Sequence, residues 1–442
     1  MSAALDMDAP AAGARATLSW AGIVRLGVVQ MCLGAIVVLM TSTLNRLMVV
    51  ELALPAVLPG ALVALHYGIQ ITRPNWGFLS DTSGKRTFWI VAGMAVLAAG
   101  GMLAATAVWL MESAFWPGLA LNVFAYILIG LGVGASGTSL LALLATTTAP
   151  RRRPAAATIT WLMMILGIAL TAATVGAVLE PYSPERLLVI VAIVATGAVV
   201  VTTLAVWGVE AGLHAEREPE EQPFMQGLRE VWAERDARRF TLFVFLSMTA
   251  YFMQELILEP YAGLVFDFTP GQSTSLSGAQ NGGVFLGMIT VGLLGTALRI
   301  GSLRGWIVAG CLGSAAAQAA IAGIGPMGPG APLVPAVVAM GFFNGMFAVA
   351  AIGAMMALAG EGRAKREGTR MGLWGAAQAI AAGFGGLLGA AAVDALRTVL
   401  ADAPAFGAVF LAEAALFLAA ALMAFRMMSQ SHAPGGALVP GE

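Results

Sequence analysis

Charge is scarce in this sequence. Only 11% of its 442 residues are charged, whereas 59% are apolar and the mean hydropathy is +0.85. This composition excludes an ordinary water-soluble globular protein. Cysteine is also rare, and because both cysteines, Cys32 and Cys311, fall in apolar stretches, the sequence argues against a disulfide framework and against a CxxC metal site. We conclude that lipid is the solvent for most of the chain.

Long apolar stretches are abundant instead. A helix crosses the hydrocarbon core of a bilayer with about 20 apolar residues. The N-terminal residues do not look like a cleaved signal, so we expect the first span to be permanent. We predict membrane spans at residues 21–44, 57–79, 88–110, 119–147, 155–179, 187–208, 240–262, 277–298, 305–323, 332–358, 371–393 and 404–426.

The basic residues lie mostly on one side of these spans. Of the 23 Lys and Arg residues, three lie in odd-numbered connections and two lie within spans, and the remaining eighteen lie on the opposite side. Cytoplasmic connections are rich in Lys and Arg, so we expect a bacterial inner-membrane protein with both termini in the cytoplasm. An even number of spans follows from this orientation.

The charge distribution also divides the chain. Residues 210–239 interrupt the apolar sequence with eight acidic and five basic residues, and the basic connections before and after this segment repeat at an offset of about 215 residues, as expected for parallel repeats. We predict a cytoplasmic tail (1–20), an N-terminal six-helix half (21–208), a cytoplasmic linker (209–239), a C-terminal six-helix half (240–427) and a second tail (428–442).

The connection after the second span carries a glycine-rich basic motif, Gly77-Phe78-Leu79-Ser80-Asp81-Thr82-Ser83-Gly84-Lys85-Arg86. It resembles the G-x-x-x-D-R/K-x-G-R/K-R/K loop of the major facilitator superfamily, whose functional positions fall here on Gly77, Asp81, Gly84, Lys85 and Arg86. Thr82 stands at the position directly after the aspartate, where the superfamily loop usually has a basic residue. A generic turn with basic anchors is the alternative. The resemblance implies an all-α membrane protein of about twelve helices in two six-helix halves.

Three further stretches resemble the PucC/LhaA family of photosynthetic bacteria, a branch of that superfamily. They are Leu44-Asn45-Arg46-Leu47-Met48-Val49-Val50-Glu51-Leu52, Arg73-Pro74 leading into the glycine-rich motif, and Gln254-Glu255-Leu256-Ile257-Leu258-Glu259-Pro260-Tyr261-Ala262-Gly263 continuing to Phe266. The resemblance implies light-harvesting complex assembly, with bacteriochlorophyll and antenna polypeptides as partners, a possible association with bacteriochlorophyll synthase, and no nucleic acid. It implies no covalent cofactor; bacteriochlorophyll or a precursor would be bound transiently.

The third stretch places carboxylates deep in the seventh span. Charged groups in hydrocarbon face the interior and find partners, so we predict that Arg46, near Glu51 at the end of the first span, pairs with Glu255 or Glu259. The alternative is that Glu259 is hydrated at the membrane surface. Gln254, Glu255, Glu259, Pro260 and Tyr261 are the predicted pigment or cavity residues of this span.

His66 is the only histidine within a predicted span. An imidazole nitrogen can ligate the magnesium of a chlorin, which makes His66 a further pigment candidate. A lone membrane histidine is more often hydrogen-bonded to a neighbouring group. The sequence leaves both interpretations open.

Three functions are compatible with these observations. The preferred one is a non-enzymatic factor for bacteriochlorophyll delivery and antenna assembly. The others are a proton-coupled transporter of a small solute and a non-catalytic partner of bacteriochlorophyll synthase. We predict no catalytic residues and no metal site, because the Asp-rich motifs of prenyltransferases, Gly-rich nucleotide loops and His/Cys metal spacings are absent from the sequence.

Overall fold

The computed structural model describes residues 18–83, 85–149, 152–210, 232–298, 300–361 and 367–430. Within these ranges the chain forms twelve helical segments of membrane length. The first six are α1 (Trp20–Glu51), α2 (Val57–Ile69, continued by Gln70–Thr72 and Arg73–Ser83), α3 (Arg86–Ser113), α4 (Phe115–Thr147), α5 (Arg153–Val178) and α6 (Pro184–Val206). The second six are α7 (Arg235–Phe266), α8 (Pro270–Val291), α9 (Leu303–Ile324), α10 (Leu333–Glu361), α11 (Glu367–Arg397) and α12 (Asp402–Gln430).

Ten of these helices are long and apolar enough to cross a membrane. The two others, α2 and α8, differ for physical reasons. A 3₁₀ turn at Gln70–Thr72 breaks α2 into shorter pieces. The sequence of α8 is rich in Ser, Gly and Gln, and it packs between α5 and α10, so little of its surface needs to face lipid. The chain is a multi-pass membrane protein, as predicted.

Two predicted spans have one wrong boundary each. The first was predicted to end at residue 44, but α1 continues to Glu51 through π-helical stretches at Leu39–Leu44 and Leu47–Glu51. The eighth was predicted to begin at residue 277, but α8 begins at Pro270 behind a capping box of Thr269 and Gln272. Both errors have the same cause. These ends of the helices carry polar residues that face the other half of the protein, and polar residues at the end of an apolar run are read as a connecting loop.

Each half has its own apolar core, and the helices that join the halves are α1 with α7 and α8, α2 with α11, and α5 with α8. Small residues allow close approach in two of these contacts. Gly60 of α2 lies against Ala390 and Leu387 of α11, and Gly278 of α8 lies against the backbone of α5 at Ala173. The predicted tails and most of the predicted linker lie outside the described residues, so the predicted domain division stays a prediction.

Candidate functional site at the contact between the two halves

Polar side chains on the last turns of α1 reach across to the C-terminal half. All of them are buried, and they lie at the end of the bundle opposite the basic connections, which we call the far end. The pairs are Ser42 Oγ with Glu259, the Thr43 and Thr274 hydroxyl oxygens at 3.1 Å, and Asn45 Nδ2 with the Leu256 carbonyl oxygen at 2.8 Å. We call these three contacts, together with those of Arg46 below, the interhalf seam.

Pro260 explains why Asn45 is needed in the seam. In an α-helix the carbonyl of residue 256 accepts a hydrogen bond from the N–H of residue 260, but Pro260 lies inside α7 and has no N–H. The Leu256 carbonyl is therefore left free, and Asn45 donates to it from the other half. A gap in the hydrogen bonding of one helix becomes a specific contact between the halves.

This arrangement makes a testable prediction. Asn45→Ala orphans a buried carbonyl and should destabilise the protein by about 1–3 kcal/mol. Pro260→Ala restores the N–H donor, so the double variant Asn45→Ala/Pro260→Ala should recover much of that loss. Thermal unfolding of the detergent-solubilised variants measures both effects. Strictly additive losses in the double variant would contradict the proposed role of Pro260.

Arg46 makes its direct ion pair with Glu51, and the predicted partner Glu259 lies close enough to interact with it electrostatically. Its Nη1 lies 2.5 Å from Glu51 Oε1, and its Nη2 donates to the Phe268 carbonyl oxygen at 2.7 Å. The π-helical stretch at Leu47–Glu51 explains the choice, because i→i+5 geometry brings residues 46 and 51 to the same face. Glu259 instead accepts from Ser42, one turn before Arg46. The Arg46 side chain is 3% exposed, so this charge is buried in the seam.

Two more contacts join the halves at the far end, and the sequence analysis missed both. Asp394 of α11 accepts from the backbone N–H groups of Ala56 and Val57 at 3.0 and 2.7 Å, so it caps the start of α2. Glu180, just after α5, accepts from Thr269 Oγ1 and from the N–H of Gly271 at the start of α8. Carboxylates are favoured at helix N-termini. Their role was invisible in the sequence because the partners are distant backbone groups.

Glu255 faces the space between the halves and is only half-buried. The Thr41 hydroxyl lies beside its carboxylate. Tyr67 of α2 is close enough to interact electrostatically with Glu255, Tyr251 and Arg73, and its ring lies edge-on to Phe252 with centroids 6.1 Å apart. The structure thus places Glu255 near aromatic and cationic groups of both halves.

Two of the predicted cavity residues lie elsewhere. Gln254 is fully buried and its Oε1 accepts from Gln318 Nε2 of α9. Tyr261 is also fully buried, and its hydroxyl donates to the Ile321 carbonyl oxygen at 2.9 Å. Both therefore face the core of the C-terminal half. Helical spacing separates them from Glu255 and Glu259, which face the N-terminal half.

His66 is buried and its Nε2 lies 3.1 Å from Gln70 Nε2. Arg73 donates to Gln70 Oε1, and because arginine has only donors, this contact fixes the Gln70 amide with its NH₂ group toward His66. The lone pair of His66 Nε2 is therefore used, and Nδ1 carries the proton without a partner among the described residues. In this arrangement His66 does not fit as an axial ligand of a chlorin magnesium.

The glycine-rich motif is mostly helical rather than a loop. It occupies the end of α2, which closes at Ser83, and the start of α3 at Arg86. The Arg86 side chain donates to Thr146 Oγ1 at 2.7 Å, and Glu210 accepts from the Arg86 N–H at 2.8 Å. Lys85 is exposed. Among the predicted site residues of this motif, Gly84 lies outside the described residues. Gly77 and Asp81 are described only as parts of the helix backbone.

A protein-family model described as "PUCC protein" matches residues 43–432. The chain therefore belongs to the PucC family. It is 69% identical over 426 residues to the bacteriochlorophyll synthase 44.5 kDa chain of Rhodobacter capsulatus. The alignment covers 96% of this chain and 98% of that protein. It is 28% identical over 425 residues to protein PucC of Cereibacter sphaeroides, covering 90% of each. The resemblance drawn from the sequence is confirmed.

Solved structures show the fold of this PucC family member. A bacterial homolog to the human lysosomal transporter Spinster superimposes with a TM-score of 0.68 at 14% identity, covering 94% of this chain and 98% of that one. A bacterial homologue of the human drug peptide transporters PepT1 and PepT2 gives the same TM-score at 14% identity, covering 93% and 98%. The predicted major facilitator fold is confirmed.

Proposed function

We propose that this protein is a non-enzymatic factor that delivers bacteriochlorophyll during assembly of light-harvesting antenna complexes. Its PucC family membership supports the proposal. So does the name of its 69% identical relative, which associates that protein with bacteriochlorophyll. Antenna polypeptides and bacteriochlorophyll synthase are the proposed protein partners. The proposed location is the inner photosynthetic membrane, with both termini in the cytoplasm.

The interhalf seam is the observation that carries this proposal. The family-like stretch of α7 from Gln254 to Phe266 supplies two of the four C-terminal partners, Leu256 and Glu259, and the family-like stretch Leu44–Leu52 supplies Asn45 and Arg46. The residues that most resemble the family therefore close the two halves at the far end. A carrier of this fold needs such a closure, because the bound molecule must reach the space between the halves from one side at a time.

The residues next to the seam combine aromatic rings with polar groups, as an amphipathic pigment would need. Tyr67 and Phe252 offer aromatic surface, and Glu255 and Arg73 offer polar groups. Since His66 Nε2 is bonded to Gln70, we expect contacts of this kind rather than His66 ligation to hold the ring. When bound, bacteriochlorophyll would supply only its own pigment chemistry, and the protein residues would position it.

The proton-coupled transporter remains the second candidate, for one specific reason. Glu259 is 2% exposed, and its Oε2 has no hydrogen-bond partner in the described part of the chain. A buried carboxylate in a membrane protein is a common proton carrier. Association with bacteriochlorophyll synthase as a non-catalytic partner is compatible with either function.

Purification from pigment-producing cells tests the proposal. We expect tagged protein in mild detergent to carry bacteriochlorophyll absorption and to co-purify with antenna polypeptides. Tyr67→Ala/Phe252→Ala should lower the bound pigment several-fold. His66→Gln should leave it unchanged, because that nitrogen is already used by Gln70. Bound pigment and associated proteins are measured by absorption spectroscopy and mass spectrometry of equal amounts of protein.

Two results would contradict the proposal in different ways. Colourless protein without antenna partners would favour the transporter. Pigment lost in His66→Gln but retained in Tyr67→Ala/Phe252→Ala would keep delivery but move the binding site to the histidine. A bacterial strain that expresses the Leu411→Ala variant, which is altered at an exposed residue of α12, is the control. Its bound pigment per amount of protein should equal that of the wild type.

A further inference from the structure

Glu413 lies in the middle of α12 and is 0% exposed. Neither of its carboxyl oxygens has a hydrogen-bond partner in the described part of the chain. An ionised carboxylate in such surroundings would be very costly, because neither water nor a counter-charge compensates for its lost hydration. The geometry therefore requires an explanation that the proposed delivery function does not give.

A chain of amides starts beside this carboxyl group. Gln318 of α9 is its polar neighbour, and Gln318 Nε2 donates to Gln254 Oε1 of α7. That donation fixes the orientation of Gln318 and leaves its Oε1 without a partner. The amide nitrogen that faces this carboxyl group is therefore already engaged with Gln254, and no counter-charge among the described residues balances a charge on Glu413.

We propose that Glu413 is a proton-binding site in the core of the C-terminal half. One proton adds to the carboxylate and gives the neutral acid, which removes the cost of a fully buried charge next to the Gln318–Gln254 amide pair. The bound ligand is a proton.

Among the described residues, no charged side chain contacts Glu413. The helices packed against α12 are α7, α9 and α11. From α9 Glu413 meets Gln318, and the titratable Tyr261 of α7 donates to the Ile321 carbonyl oxygen. The described charged groups of α7 and α11 make their contacts elsewhere: Glu255 with Thr41, Glu259 with Ser42, Asp394 with α2, and Arg397 with Asp402.

The site is connected to the interhalf seam through one helix. Gln254 precedes Glu255 in α7, and Leu256 and Glu259, which contact α1, follow on the next turn. Loss of the proton would place a charge beside Gln318 and draw its N–H groups away from Gln254, which weakens the contact between α7 and α9. Protonation of Glu413 thereby stabilises the position of α7 from which the seam is made. This inference does not depend on which molecule the protein carries.

Infrared spectroscopy of the purified protein tests the proposal directly. A protonated carboxylic acid has a C=O stretching band that a carboxylate lacks. We expect this band in the wild-type protein at neutral pH and expect it to disappear in Glu413→Gln. It should persist in Glu255→Gln, a matched change one residue from Gln254. A wild-type spectrum in which Glu413→Gln removes no such band would overturn the proposal.

Stability provides a second, independent measurement. Glutamine is neutral and has nearly the shape of the protonated acid, so Glu413→Gln should keep the thermal midpoint of the wild type at neutral pH. The wild-type midpoint should fall at alkaline pH, where the buried carboxyl group loses its proton, and Glu413→Gln should not show this part of the fall. The same pH dependence in the wild type and in Glu413→Gln would disprove the proton-binding site.

Discussion

Replacing Gly278 by valine should prevent the two halves from closing at the far end. A Cβ atom at this position would lie 2.6 Å from Ala173 N, 3.0 Å from Ala173 Cα and 3.1 Å from Ala169 O, all on α5. All three are backbone atoms of a packed helix and cannot move away like the end of a side chain. Overpacking of this kind costs about 1–3 kcal/mol or more, which corresponds to at least about a fivefold loss of the closed arrangement.

Gly282 provides the matched control. It lies one turn further along α8, and a Cβ added there would meet no atom within 4 Å. Gly282→Val therefore introduces the same side chain, with the same loss of backbone freedom, on a free surface of the same helix. We expect it to behave like the wild type. Any effect of Gly278→Val that Gly282→Val does not share comes from the contact between α5 and α8.

A disulfide across the seam measures this closure. The hydroxyl oxygens of Thr43 and Thr274 are 3.1 Å apart, so the pair Thr43→Cys/Thr274→Cys should crosslink readily when the seam is closed. After cleavage at a protease site introduced into the acidic linker, crosslinked halves stay together on a non-reducing gel. Gly278→Val should reduce the crosslinked fraction strongly. Equal crosslinking in the Gly278 and Gly282 variants would show that this packing does not hold the halves together.

The membrane topology was predictable because it depends on local properties of the chain. The apolar length of a segment decides whether it spans, and each span can be recognised without knowledge of its neighbours. Apolar length gave the wrong boundary at two places, the end of α1 at Glu51 and the start of α8 at Pro270. At those ends the helices are covered by the other half rather than by lipid, so their polarity reflects partners that are distant in sequence.

The candidate site was predictable only in part for the same reason. The sequence identified Glu259 and Arg46 as buried charges in need of partners, but it did not show which groups each would contact directly. The Arg46–Glu51 pair depends on a π-helical stretch, and nothing in the local residue pattern distinguishes it from an ordinary α-helix. The contact of Asn45 with Leu256 depends on Pro260, a relation that needs both helices in place.

Glu413 shows a different limit. It was overlooked because one acidic residue in a long apolar segment does not change the prediction of a span. Its importance comes from its surroundings: the position is fully buried, and neither carboxyl oxygen has a hydrogen-bond partner among the described residues. Glu255 and Glu413 are both carboxylates within spans, yet one faces the space between the halves and the other an apolar core. Only the packing of α7, α9 and α12 separates these two environments.

Arg46→Ala should have the largest effect of any single charge removal at the far end. Arg46 is 3% exposed and donates to the Phe268 carbonyl oxygen of the other half at 2.7 Å. A hydrogen bond from a charged group is worth about 1.5–3 kcal/mol. Glu51 is 42% exposed, so it can be hydrated once Arg46 is gone, and its pair adds little. We expect lower thermal stability and, under the proposed function, a strong loss of antenna absorption in complemented cells.

Arg397 is the matched control for Arg46. It lies at the same end of the bundle and also pairs with an acidic residue five positions later, Asp402, at 2.6 Å. Its side chain is 29% exposed and that of Asp402 is 36% exposed, so Arg397→Ala should cost less than about 1 kcal/mol and leave antenna absorption intact. Arg46→Lys keeps the charge but cannot reach Glu51 and Phe268 together with the arginine geometry, so it should fall between the two. If Arg46→Ala and Arg397→Ala were equally mild, burial of the Arg46 charge in the seam would have no functional weight, and closure would rest on Asn45, Ser42 and the packing at Gly278.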